Sequence, residues 1–296
     1  MSENQRLLMR LHPVTILCYI SVSMGIAMFC MNPVMQGCSL LGAGIFLWMV
    51  SEHIVWQRIP VFLCFCLVMA AVNPLFYHNG VTVLFYLNGN RITLEAVRYG
   101  LCMSCMLGSV FLWCLSLPRI FTGDRVQCLL GAVSPKAALV CSMTLRFLPM
   151  YVRQMEKTKE QQRLLGLYRE NALLDRLKGN LKVFAAATTW AFEHSMHTAD
   201  SMQARGYGTC RRTQYHRQRF KRTDAALCTA IAVLAVTTVI FIKRGKAVMQ
   251  FYPITDALPL GTESMTAYVC YAVICLSLPF LMAAARIKNH AAGRNR

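Results

Sequence analysis

The chain has 296 residues, 56% of them hydrophobic and 15% charged, with mean hydropathy +0.42. Soluble domains carry about 25% charged residues, so this composition excludes an ordinary soluble enzyme and a disordered nucleic-acid-binding tail. Its charge is lopsided, 31 Lys and Arg against 13 Asp and Glu, net +18, which excludes a lipid-buried bundle with trivial loops. A polytopic membrane protein with a large basic cytoplasmic part satisfies both.

A spanning helix needs about 20 mostly apolar residues. In chain order, residues 13–31 form one such run and 33–50 a second, joined by a turn at Asn32-Pro33. Residues 61–76 are the third, ending at Asn73-Pro74, and 94–117 the fourth, closed by Pro118. From 119 to 223 no charge-free run is long enough to span; 225–242 is then a fifth span and 266–285 a sixth. The first run is too long for a signal-peptide core and has no small-residue cleavage site before Asn32. Of the fourteen cysteines most lie inside these runs, Cys64, Cys66, Cys102 and Cys105 among them, and read as small packing residues.

Lys and Arg near short loops stay on the cytoplasmic side. Arg6 and Arg10 precede the first span, Arg58 lies between the second and third, and Arg286, Lys288, Arg294 and Arg296 close the chain. The middle region holds about 19 basic residues against about 7 acids. All of these fall inside if both termini are cytoplasmic. Residues 77–93 and 243–265 are then outer loops, with Lys243, Arg244 and Lys246 as the exceptions. The expected fold is all-α: about six transmembrane helices plus two long cytoplasmic helices. The expected parts are an N-terminal membrane region 1–118, a cytoplasmic region 119–223 and a C-terminal membrane region 224–296. The expected location is the inner (plasma) membrane.

The middle region is organised. Residues 137–166 read as one long helix, apolar in its first half and charged in its second (Arg153, Glu156, Lys157, Lys159, Glu160, Arg163), with Pro149 near the junction as a kink and Gly166 as its C-cap. A polar linker, 167–180, leads to a second helix, 181–205, rich in alanine. Phe184, Thr188, Ala191, Ser195 and Thr198 follow one of its faces. Gly206 and Gly208 end it.

Four residues near that end, Glu193, His194, His197 and Asp200, lie within two helical turns. They are either a solvated helix face or ligands of a metal in an integral-membrane enzyme with an interfacial site. The order is not that of a zinc protease, and neither a phosphate-binding P-loop nor a nucleophile elbow is present. Glu95 and Arg98 open the fourth span one turn apart and read as an interfacial pair facing headgroups. A secondary transporter places acids or histidines at the midplane; these spans do not, so energy for any transport would come from a partner. No resident cofactor and no metal site are expected. The basic surface suits lipid headgroups, about 1 kcal/mol per Lys or Arg, and leaves no free nucleic-acid-reading module.

The most specific segment is Ala199-Asp200-Ser201-Met202-Gln203-Ala204-Arg205-Gly206-Tyr207-Gly208. It is a helix end whose arginine can reach a carboxylate on a neighbouring surface while the glycines permit close approach, or else an ordinary C-cap. Ala204-Arg205-Gly206 resembles the Ala-Arg-Gly coupling motif of the transmembrane T component of energy-coupling-factor (ECF) transporters. Residues 72–80, Val-Asn-Pro-Leu-Phe-Tyr-His-Asn-Gly, resemble that family's Asn-Pro-Leu-Phe and His-x-Gly stretch. Leu145-Arg146-Phe147-Leu148-Pro149 resembles its Arg-Phe-x-Pro segment, and Leu11-His12-Pro13 also fits. The similarity runs in order over about residues 11–225.

The resemblance implies a scaffold without catalysis of its own. It would hold a membrane-embedded substrate-binding S component and dock two long helices, crossed as an X, into two ABC-type ATPases. The ATPases bind ATP and magnesium, and their motion drives uptake of a vitamin or a transition-metal ion such as cobalt or nickel. Ala204, Arg205 and Gly206 would make one ATPase contact, and Arg146 and Pro149 would be the hinge of the first coupling helix. The family's second Ala-Arg-Gly is altered: Gly166 matches, but Leu165 stands at the arginine position. Either Arg163 or Arg169 substitutes there, or that contact is apolar.

Overall fold

The computed structural model describes residues 11–50, 52–76, 80–87, 90–166, 173–209, 221–244, 249, 251, 259 and 261–294. Its described elements run α1 (Pro13–Phe29), α2 (Pro33–Val50), α3 (Glu52–Phe76), β1 (Val83–Leu87), β2 (Asn90–Thr93), α4 (Leu94–Ile120), α5 (Gly123–Val133), α6 (Pro135–Leu164), α7 (Leu173–Ala204), α8 (Arg222–Arg244) and α9 (Thr262–Arg294). The chain divides into two compact units, Met1–Thr122 with Arg219–Arg296, and Gly123–Gln218. Among the described residues four helices are long and apolar enough to cross a membrane: α2, α4, α8 and the Thr262–Ala285 part of α9; Pro13–Phe29 and Pro60–Phe76 are shorter apolar stretches. The fold is helical, and the chain is a multi-pass membrane protein.

Helix starts in the first unit follow from local chemistry. The His12 imidazole accepts from the Val14 N–H at 3.3 Å, and Pro13 occupies the first turn, where its missing N–H costs nothing. The His12 N–H donates to Asp224 Oδ1 at 3.5 Å, and the Lys221 N–H donates to Asp224 Oδ2 at 3.2 Å. One buried carboxylate thus ties the start of α1 to the start of α8. The turn at Asn32-Pro33 repeats the logic. Asn32 Oδ1 accepts from the Val34 N–H, and Asn32 Nδ2 donates to the Tyr268 hydroxyl at 2.7 Å. Gln36 Nε2 donates to the carbonyls of Ala27 and Cys30, which the end of α1 leaves without helical partners.

The core of this unit is aromatic and neutral. Tyr19, Phe46 and Trp113 are fully buried with ring centroids 5.5–5.8 Å apart. Their polar atoms are placed: the Tyr19 hydroxyl donates to the Cys275 carbonyl at 2.7 Å and Trp113 Nε1 donates to Ser39 Oγ at 3.4 Å. Tyr271 donates to the Ser23 carbonyl at 2.9 Å. Glycines allow the closest approaches. A methyl group on Gly42 would lie 2.7 Å from Cys275 Cβ, and one on Gly100 would lie 2.7 Å from the Ala70 carbonyl oxygen. Asn73, of the Asn-Pro pair, donates to the Ala96 carbonyl at 3.1 Å and fastens α3 to α4. The described cysteines are free thiols.

Several boundaries differ from expectation. α4 continues through Pro118 to Ile120, because a proline in the last turn forfeits one bond and the Phe121 N–H still reaches the Leu117 carbonyl at 2.9 Å. α7 begins at Leu173, so the end of the expected linker is helical. α5 and the β1–β2 hairpin were not expected at all. The strands pair antiparallel, Leu87 opposite Asn90, and the sequence between them is Asn88-Gly89, the strongest short-range hairpin signal. Glu95 is not an interfacial partner of Arg98: it is buried, its Oε1 accepting from the Thr82 hydroxyl at 2.7 Å and the Thr82 N–H at 3.3 Å, while Arg98 is exposed. The carboxylate locks the hairpin to the top of α4.

The α2–α9 approach has a direct test. Gly42→Ala is expected to cost about 1–3 kcal/mol by overpacking and to lower the thermal midpoint of the detergent-solubilised protein. Gly44→Ala, where a methyl group meets nothing within 4 Å, is expected to leave it unchanged.

Candidate functional site

The expected coupling residues lie in the unit Gly123–Gln218. Its α6 starts on the Ser134 side chain, which accepts from the Ala137 N–H, with Pro135 in the first turn. The helix runs unbroken through Pro149 to Leu164. α7 packs against it along Gly179, Val183 and Ala187, the buried residues of that helix. This line continues to Trp190 and His194. It lies one residue before the line of Phe184, Thr188 and Ala191. Glycine and alanine here let the helices approach, whereas Phe184 is exposed.

Aromatic rings make the join. Phe147 stacks on Trp190 at 5.8 Å and 15°, and Trp190 stacks on His194 at 5.1 Å and 12°. Phe147 also meets His194 at 5.7 Å and Tyr151 at 6.1 Å. The Tyr151 hydroxyl lies 3.4 Å from Thr188 Oγ1. Pro149 and Arg146 are exposed on either side of this stack. The structure thereby gives His194 a packing role. Glu193, His197 and Asp200 are exposed, and among the described residues no group of three or more His, Cys, Asp or Glu is gathered that could hold a metal. Sequence reading missed this stack, although Trp190 and His194 at i, i+4 spacing were its signal. It also missed Arg125 of α5, whose burial pushes its guanidinium below the ordinary range.

The end of α7 is a fixed turn. The Gly206 N–H donates to the Gln203 carbonyl at 2.9 Å and the Tyr207 N–H to the Met202 carbonyl at 3.0 Å, with Gly206 at φ 73°. That pair of bonds is the Schellman motif, and it requires a left-handed residue that glycine supplies without strain. Arg205 stands at the cap itself, its N–H bonded to the Ser201 carbonyl and its side chain exposed. Ala204 is the last helical residue and is exposed too. A cation at a helix C-terminus compensates the dipole, and a guanidinium presented beside a side-chain-free residue is free to make a two-pronged bond to a carboxylate or phosphate.

The end of α6 has the matching glycine, Gly166, at φ 69°. Leu165 occupies the cap, and Arg163, exposed, lies two residues before it. Arg169 lies outside the described residues, as does His78 of the His-x-Gly stretch.

Residues 4–216 match the family described as CbiQ, cobalt transport protein. The chain is also similar to the energy-coupling factor transporter transmembrane protein EcfT of Listeria innocua, at 26% identity over 188 residues, 60% of this chain and 70% of that one. The family match takes in α6 and α7.

The aromatic join predicts a graded response. Trp190→Ala removes two stacked contacts, each contributing about 0.5–1.5 kcal/mol beyond area. It is expected to raise amide hydrogen exchange over residues 143–151 and 183–194, with Trp190→Phe close to the parent protein.

Proposed function

Because the chain belongs to the CbiQ family of cobalt transport proteins, we propose that it is the transmembrane scaffold and energy-coupling subunit of an energy-coupling-factor importer. The observation that carries this reading is Arg205: an exposed guanidinium held by a Schellman turn at the end of a 32-residue helix. A rigid helix with a charged, sterically bare tip suits transmission of force to a partner with a complementary carboxylate.

The family implies ATPase subunits, a substrate-binding S component and a membrane setting. In our reading, two ABC-type ATPases bind ATP and magnesium and hydrolyse the nucleotide, and this chain performs no catalysis. Ala204, Arg205 and Gly206 dock on one of them; Gly166 and its neighbours dock on the other. α6 and α7 are the coupling helices, crossing as an X, and Arg146 and Pro149 form the hinge beside the Phe147–Trp190 stack. The membrane unit holds the S component, which carries a vitamin or a transition-metal ion inward. Both termini are cytoplasmic, in the inner membrane, as the distribution of Lys and Arg favours. The basic surface meets lipid headgroups and no nucleic acid.

Loss of a hydrogen-bonded interfacial charge pair costs about 2–5 kcal/mol. Arg205→Glu in the co-expressed complex is therefore expected to abolish ATPase co-purification and ATP-dependent uptake while membrane insertion is retained; normal uptake by this variant would remove Arg205 from the reading. Gly206→Val places a β-branched residue at positive φ, a strain of about 1–2 kcal/mol, and is expected to reduce coupled uptake without altering expression.

A further inference from the structure

The ends of α6 and α7 are built to one geometry. The Leu165 N–H donates to the Gln161 carbonyl at 3.1 Å, as the Arg205 N–H donates to Ser201 at 3.2 Å. The Gly166 N–H donates to the Arg163 carbonyl at 3.0 Å, as the Gly206 N–H donates to Gln203 at 2.9 Å. Gly166 and Gly206 have φ of 69° and 73°. In these two bonds and in the glycine φ, Leu164-Leu165-Gly166 therefore stands where Ala204-Arg205-Gly206 stands on the other helix.

The chemistry presented there is opposite. Leu164 is 89% and Leu165 72% exposed. They are adjacent leucines ending a half-helix otherwise carrying Arg153, Glu156, Lys157, Lys159, Glu160 and Arg163. Arg163 does not restore the missing charge, because two residues earlier is about 200° round the helix; its side chain leaves a different side from that of Leu165. A receptor site shaped for Arg205 offers a carboxylate. Closing the same carboxylate over Leu165 would strip it of water and give it no donor. By charge complementarity one kind of receptor cannot serve both ends.

Resting on the coupling reading above, we propose that α6 docks through Leu164 and Leu165 into an apolar, carboxylate-free pocket on an ATPase subunit, and that this subunit is a different polypeptide from the one that receives Arg205. The two leucines then select which ATPase sits on which helix. A uniform receptor would let the complex assemble in either sense; one apolar and one acidic receptor allow a single arrangement.

The test uses the full complex co-expressed with its ATPases. A photo-crosslinking amino acid is placed at Gln161 or at Ser201, exposed and equivalent positions that leave both tips intact. Capture of one ATPase polypeptide from position 161 and another from position 201 is the expected result. The same polypeptide from both positions overturns the inference. An ATPase at 201 with only lipid or a second copy of this chain at 161 overturns it too, while the coupling reading stands. No ATPase at either position overturns both. In parallel, Leu165→Arg is expected to weaken ATPase co-purification at least about tenfold, since it buries an unpaired charge. Leu165→Met, of similar volume, is expected to stay within about twofold. Unchanged or stronger association of the Leu165→Arg complex would show an acidic receptor and sink the proposal.

Discussion

Helices surrounded by lipid gain little from turning apolar faces toward each other, so close packing and satisfied backbone groups must hold them together. Everything in the membrane unit depends on this constraint. Gly42 brings α2 against Cys275, and Gly100 brings α4 against the Ala70 carbonyl. The polar atoms buried by that closeness are mostly neutral. Tyr19 donates to the Cys275 carbonyl, Gln36 to the carbonyls at the end of α1, and Asn32 to Tyr268. The buried acids have structural partners: Glu95 holds the hairpin through Thr82, and Asp224 joins the starts of α1 and α8.

The unit Gly123–Gln218 obeys a different rule. Its two long helices bury little; α6 has no fully buried residue and α7 has three. What joins them is the line of Gly179, Val183 and Ala187 on α7 and the stack of Phe147, Trp190 and His194 beside Pro149. Their ends are left exposed on rigid turns. Arg205 and Leu165 stand at one cap geometry with opposite chemistry, a guanidinium and an apolar side chain.

Most of the helices could be read from the chain because their signals are local. Pro33 after Asn32, Pro135 after Ser134 and Pro13 after His12 mark starts, and apolar runs of membrane length mark interiors. The hairpin has one local signal, Asn88-Gly89, inside a stretch between two apolar spans. α5 carries a weak signal of its own, being only 11 residues long and next to the 30-residue α6. The buried edge of α7, Gly179, Val183 and Ala187, lies one residue before the line of Phe184, Thr188 and Ala191. Periodicity identifies a face only to within a residue or so, and Gly179, Val183 and Ala187 are favoured by size rather than by hydropathy.

By itself the sequence determined the class of the protein, the order of its apolar helices, the basic region between them and the two glycine-terminated ends. All of these follow from composition and from steric rules acting within a few residues. Only the tertiary structure decided that His194 stacks on rings instead of meeting Asp200, that Glu95 faces Thr82 instead of Arg98, and that Leu165 takes the same turn as Arg205. Each of those depends on where a side chain points after the helix has turned and packed. A one-residue rotation of about 100° changes the answer, and no local rule fixes it.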